Sequence, residues 1–180
     1  MLYFFLSFYP MSRGFVKEED QEEAPLIPPR AALPDGIENN VTAQGLTALQ
    51  TERKRLEQQR LENPEKDETE KRRLNMLIDG KIRLLDERLA SAKVIPLQEQ
   101  PREELRFGAN VHLKYLNGPL KGQSLKLQIV GVDEADLKKQ KIAFVAPLAK
   151  ALMGAKIGEE RELTLGKEKR LLQVIDFHYQ

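Results

Sequence analysis

The chain has no cysteine and no tryptophan, and aromatic residues make up only 6% of its 180 positions. Without cysteine there is no disulfide framework, no thiolate metal site and no cysteine nucleophile, and a reducing, cytoplasmic setting is the expected one. Histidine is scarce as well: His112 and His178 stand far apart and match no zinc-ligand spacing. No G-x-x-x-x-G-K-[ST] loop occurs, so nothing in the sequence is built to hold nucleotide phosphates. A charge excess is also missing, since 29 basic residues face 28 acidic ones for a formal charge of +1. That near-neutrality removes any global electrostatic pull toward nucleic acid. The apolar opening, MLYFFLSFYP, is too short to span a bilayer and lacks a charged leader or cleavage site. It reads as an upstream extension with Met11 as the expected start, the alternative being a short membrane-associating anchor; no membrane partner is expected.

What is present divides by composition. Residues 1–40 carry the acidic run KEEDQEE and then APLIPPRAALPDG, neither with an apolar period, so a disordered, solvated leader is expected, with Leu26 and Ile27 as the side chains most suited to a partner. Residues 41–95 turn charged and leucine-rich. Thr42 is a suitable N-cap for a first helix carrying Leu46, Leu49, Leu56 and Leu61, and Asn63-Pro64 supplies a turn. A second helix carries Leu74, Leu77, Ile78, Ile82, Leu85, Leu89 and Ala92 at spacings of three and four. Two narrow stripes joined by a short turn bury each other, which predicts an antiparallel helical hairpin, a coiled coil. After a proline-bearing linker over 96–104, the period changes to two. Strands are predicted over Asn110–Leu116, Ser124–Val130, Lys141–Val145, Glu160–Leu165 and Arg170–Phe177, with a short helix in PLAKALMG. Residues 105–180 therefore read as an α+β domain whose core holds Phe107, Ile129, Phe144, Leu148, Leu152, Leu163 and Val174.

The letters D-E-A-D at Asp133–Asp136 invite a helicase reading, which fails because no phosphate-binding loop accompanies them. They follow a strand and precede LKKQK, where acids shape a turn and cap backbone donors. His112 and His178 lie in predicted strands and lack a serine or aspartate companion in a recognisable setting, so ordinary strand positions suit them better than catalysis. No catalytic residue is assigned. The remaining chemical candidate is the hairpin tip, where Glu62, Glu65, Asp67, Glu68 and Glu70 cluster. Carboxylates are magnesium ligands, but acids near a helix N-terminus also need no function beyond favourable interaction with its dipole.

Taken together, three stretches resemble the Gre transcription elongation factor family (GreA/GreB). VTAQGLTALQTERKRL is similar to the family's T-x-x-G-x-x-x-L opening, through Thr42, Gly45 and Leu49. LASAKVI followed by FGANVHL is similar to the exit from the second helix. IVGVDEADLKKQKIAFVAPLAKALMG resembles the family's G-x-D-E-A-D segment and its S-P-[IL]-A-[RK]-x-L helix. The resemblance implies an N-terminal antiparallel coiled coil and a C-terminal domain of FKBP-like fold. It further implies docking of a monomer at the rim of the RNA polymerase secondary channel, with nucleic acid met only indirectly. Asp133, Glu134, Asp136, Pro147, Leu148 and Lys150 are the partner-contacting residues it suggests. In the family, tip acids in a D-[LM]-x-E-N pattern help hold a polymerase magnesium and so stimulate cleavage of backtracked RNA.

That tip pattern is missing here. Counting back from Ile95 without gaps places Leu61 and Pro64 at the two acidic positions, and Glu62 and Glu65 keep the spacing one step out of register. They are the candidate ligands for a magnesium shared with the polymerase; the chain is expected to have no cofactor of its own. A first helix of about 20 residues, roughly 30 Å, is also some ten or more residues shorter than the usual family arm. Ala146 replaces the serine before Pro147. The expectation is a non-enzymatic regulator that binds RNA polymerase and stimulates cleavage weakly or not at all. The alternatives are an FKBP-like prolyl isomerase and an adaptor that works through its hairpin.

Overall fold

The computed structural model describes residues 24–179; the upstream extension expected over residues 1–10 and the acidic run KEEDQEE lie outside them. Helix α1, Ala43–Leu61, begins at Thr42, whose hydroxyl accepts from the Gly45 amide at 2.9 Å. Helix α2, Glu68–Ser91, begins at Asp67, whose carboxylate accepts from the amides of Thr69 and Glu70. Each cap satisfies helix N–H groups that have no partner within the helix. The two helices pack as the expected antiparallel hairpin around Leu49, Leu56, Ile78 and Leu85, with Ile82 and Leu89 alongside. Complete burial of a side chain such as Leu85 is worth about 2 kcal/mol. Arg53 on α1 reaches Asp86 on α2 at 2.6 Å, and Arg60 reaches Asp79 at 2.5 Å, so ion pairs flank the narrow apolar seam. Leu61 departs from expectation: it closes α1 and is 83% exposed, because the seam ends one turn before the tip.

The second unit is a five-stranded sheet. Its strands are β3 (Asn110–Tyr115), β4 (Ser124–Val130), β5 (Lys141–Ala143), β6 (Glu160–Leu165) and β7 (Glu168–His178). Their order across the sheet is β5-β4-β3-β7-β6, antiparallel throughout except for the β4–β5 pair. Helix α3, Pro147–Leu152, starts with proline at its first turn and covers the inner face. Leu113, Ile129, Leu152, Leu172 and Val174 are fully buried there, while Phe144 and Leu148 pack at the margin. The fold is thus a helical hairpin followed by an α+β domain.

The expected strand over Lys141–Val145 ends at Ala143, as the chain turns to seat Pro147; that over Arg170–Phe177 instead runs from Glu168 to His178, because a tight turn at Gly166 with φ of +62° extends its pairing with β6.

A leader without structure over residues 1–40 does not describe residues 24–40. Strand β1, Asn39–Val41, pairs in parallel with β2, Ala92–Val94, joining the chain that enters the hairpin to the chain that leaves it. Buried Asn39 donates to the Arg88 carbonyl at 2.9 Å and the Ser91 hydroxyl at 3.1 Å, tying this clasp to the end of α2. Upstream, residues 27–33 lie along the hairpin as a strap. A Cβ added to Gly80 would sit 2.1 Å from Ile27 Cδ1, so the glycine is a notch that the isoleucine fills. Ile27 therefore serves the chain's own packing, whereas Leu26 remains 91% exposed. The composition gave no sign of this because a strap borrows its apolar partner from another element and needs no period of its own.

Gly80→Leu raises intrinsic helix propensity by about 0.8 kcal/mol yet fills the notch. Tryptic cleavage after Arg30 is expected to accelerate while the helical circular dichroism is retained; unchanged cleavage would show that Ile27 does not hold the strap.

Candidate functional site

The D-E-A-D segment forms a one-turn 3-10 helix, Val132–Glu134, directly after β4, and it faces the start of α1. Glu134 accepts from the Thr42 amide at 2.9 Å, the Thr42 hydroxyl at 2.5 Å and the Gly131 amide at 3.2 Å. Thr42 Oγ1 thus donates to Glu134 while accepting from Gly45, so the helix cap and the domain contact share one hydroxyl. Two glycines make room for this. A Cβ on Gly45 would fall 2.1 Å from the Glu134 Cδ, and one on Gly131 would fall 2.8 Å from the Asn40 carbonyl oxygen.

Asp133 turns the other way, into the base of the hairpin, and its side chain is only 4% exposed. Arg30 Nε donates to its Oδ1 at 2.9 Å, and the same guanidinium makes a forked contact with Glu52 on α1 at 3.0 and 3.1 Å. Arg88 Nε lies 2.9 Å from Oδ2, as a charge contact outside hydrogen-bond alignment. Burial works to lower the Arg30 pKa, but hydrogen bonds and charge from Glu52 and Asp133 outweigh it, and the net direction is upward. Strap, hairpin and sheet domain therefore meet at one carboxylate.

Asp133 and Glu134, suggested as partner-contacting residues, are both engaged within the chain. Glu134 and the Oδ1 of Asp133 accept hydrogen bonds there, and Oδ2 of Asp133 has the Arg88 charge beside it, so both act as positioning groups for the hairpin. Asp136 accepts from the Lys138 amide at 3.0 Å and lies 3.6 Å from Lys139, with its side chain 38% exposed. The remaining suggested docking residues sit elsewhere, on α3: Pro147 and Lys150 are exposed, and Leu148 is half-buried against the core. Sequence reasoning missed Arg30 and Arg88. Gly45 within a helix was the available signal, since a glycine that gives up helix propensity marks a close approach.

At the tip, Asn63 ties the turn together by donating to Asn75 at 2.9 Å and accepting from the Glu65 amide at 3.1 Å. Glu65 accepts from the amides of Lys66 and Asp67 at 2.8 and 3.2 Å, and Glu62 accepts from Gln58 at 2.9 Å. Glu62 and Glu65 are both exposed, and among the described residues no three acidic or histidine side chains are gathered as a metal cage. With 19 residues, α1 is about 28 Å long.

Removing Asp133 leaves Arg30 with Glu52 alone and takes the carboxylate away from Arg88, in a largely buried site. Asp133→Ala is expected to cost about 3 kcal/mol in denaturant unfolding, whereas Asp136→Ala should stay within about 0.5 kcal/mol of the parent. Equal, small effects would show that the buried carboxylate does not hold the joint.

The family model for "Transcription elongation factor, GreA/GreB, C-term" matches residues 100–179. A transcription elongation factor GreA of Hyphomonas neptunium is 36% identical over 103 residues, which cover 57% of this chain and 64% of that protein. The GreA of Neorickettsia sennetsu is 33% identical over 111 residues, covering 62% of this chain and 68% of its own length. About a third of each relative thus lies outside the match. The crystal structure of GreA factor homolog 1 of Thermus thermophilus shares 25% identity, covering 79% of this chain and 99% of that one, at a TM-score of 0.36, too low to carry a structural argument. These sequence matches make this chain a member of the GreA/GreB transcription elongation factor family.

Proposed function

We propose that this protein binds RNA polymerase at the entrance of its secondary channel and modulates elongation, with little or no stimulation of transcript cleavage. Family membership supports the choice of partner. The observation that carries the cleavage half is the tip: its turn is short, Glu65 is engaged with the backbone beside it, and α1 is only 19 residues long. A carboxylate must stand within about 2.1 Å of magnesium to coordinate it, so an arm that stops short contributes nothing to the metal. In this reading any magnesium is the polymerase's, the chain holds no cofactor and performs no chemistry itself, and it acts as a monomer that meets nucleic acid only through the elongation complex.

Docking falls to α3. Pro147 fixes its first turn, Ala149 and Leu152 anchor it in the core, and Pro147 and Lys150 are left outward on one short helix. Leu148 supplies a half-buried apolar contact between them. With Ala146 ahead of Pro147, that end of the helix has no side-chain cap, so the contact rests on shape and on the Lys150 charge.

The test is an immobilised, backtracked elongation complex incubated with the protein, with retention and RNA length both measured. Retention without RNA shortening is expected, with no change on combining Glu62→Ala and Glu65→Ala, and with weaker retention for Lys150→Glu. Failure to be retained would refute the polymerase assignment. Rapid RNA shortening lost in the tip variant would refute the non-cleaving one.

A further inference from the structure

The two histidines that the function leaves unused come together on the outer face of the sheet. Along β3, Val111 and Leu113 point into the core, which places Asn110 and His112 on the opposite face. The register then sets two rows across three strands: Gln128, Asn110 and His178 in one, and Lys126, His112 and Asp176 in the other. Together with Lys139 from the turn before β5, these residues line a cavity of about 340 Å³. That size falls at the small end of the range for small-molecule sites.

What the cavity offers is chiefly hydrogen-bond donors. The Asn110 Nδ2 is buried and has no acceptor among the described residues. A donor left this way costs about 1–3 kcal/mol, which a side-chain turn toward a bound acceptor would relieve. Around it stand the Lys126 ammonium, two imidazoles and the Gln128 amide, none paired with another side chain among the described residues. Lys139 lies 3.6 Å from Asp136. Against these there is one carboxylate within the lining, Asp176, exposed and directly across from His112.

We infer that this face is a binding site for a small molecule carrying a phosphate group. The donors come from three neighbouring strands and a turn, and those on the strands stand side by side on one face of the sheet, so one ligand can meet several of them at once. That number of donors, with two lysines against one carboxylate, suits an oxyanion with three or more acceptor oxygens better than a carboxylate with two. The site lies on the sheet face opposite the core that seats α3, and it does not depend on the proposed polymerase contact.

The probe is inorganic phosphate, titrated into the full chain at constant ionic strength while side-chain amide and imidazole resonances are followed by NMR, with acetate and chloride as parallel arms. Saturable shifts of the Asn110 side-chain amide and of both imidazoles are expected with phosphate. Binding should be at least about tenfold weaker for acetate and for Lys126→Ala or His112→Ala. Those two side chains lie on the outer face, so an unchanged melting temperature would separate lost binding from lost folding. Three results would each overturn the proposal: shifts that do not saturate, equal responses to chloride or acetate, or phosphate binding undiminished in both variants.

Discussion

Two neighbouring carboxylates, Asp133 and Glu134, face opposite sides of one short turn, and the relation of the hairpin to the sheet domain depends on them. Glu134 takes the first amide and the hydroxyl of the residue that caps α1, while Asp133 takes the arginines of the strap and of α2. Neither contact is local: the partners are 92 and 103 positions away in the chain. An exposed ion pair contributes little, but here the Asp133 side chain is almost wholly enclosed, so removing its arginines would leave a charge that water barely reaches. The joint is consequently better described as a constraint on geometry than as a large net source of stability.

The glycines follow from that constraint. At Gly45 the helix gives up intrinsic propensity so that the Glu134 carboxylate can lie against its backbone, and at Gly131 the chain leaves β4 close enough to touch the carbonyl of Asn40. Gly80 plays the same part for Ile27. In each case the missing Cβ is replaced by a side chain or backbone from a distant segment. The parallel pairing of β1 with β2 completes the arrangement, since it closes the base of the hairpin at the level where the carboxylates act.

Much of this was legible from the residues alone, for identifiable reasons. The helix start at Thr42, the turn at Asn63-Pro64, the strands Ser124–Val130 and Glu160–Leu165, and the proline-led helix before Gly154 are written in local chemistry: caps, turn residues and period. The GreA/GreB membership was also visible, because it rests on ordered motifs. What could not be read was direction. The sequence places Asp133, Glu134 and Asp136 together, but only the three-dimensional meeting of β4 with α1 turns the first two inward and leaves the third half-exposed. The strap was hidden for a similar reason, since Ile27 and Arg30 sit in proline-rich sequence whose order is imposed by Gly80, Glu52 and Asp133. Likewise, the histidines look isolated in the chain and become neighbours only through the β3–β7 register.

The absence of cysteine makes the central claim directly measurable, since labels can be placed singly without background. Spin labels at Lys66→Cys on the hairpin tip and Lys121→Cys in the β3–β4 turn report the hairpin-to-domain distance by pulsed electron resonance. A narrow distance distribution is predicted for the otherwise native chain, and a broad one once Glu134→Ala removes the acceptor shared by Thr42 and Gly131. A distribution that is already broad in the native background, or one that stays equally narrow without Glu134, would contradict the account.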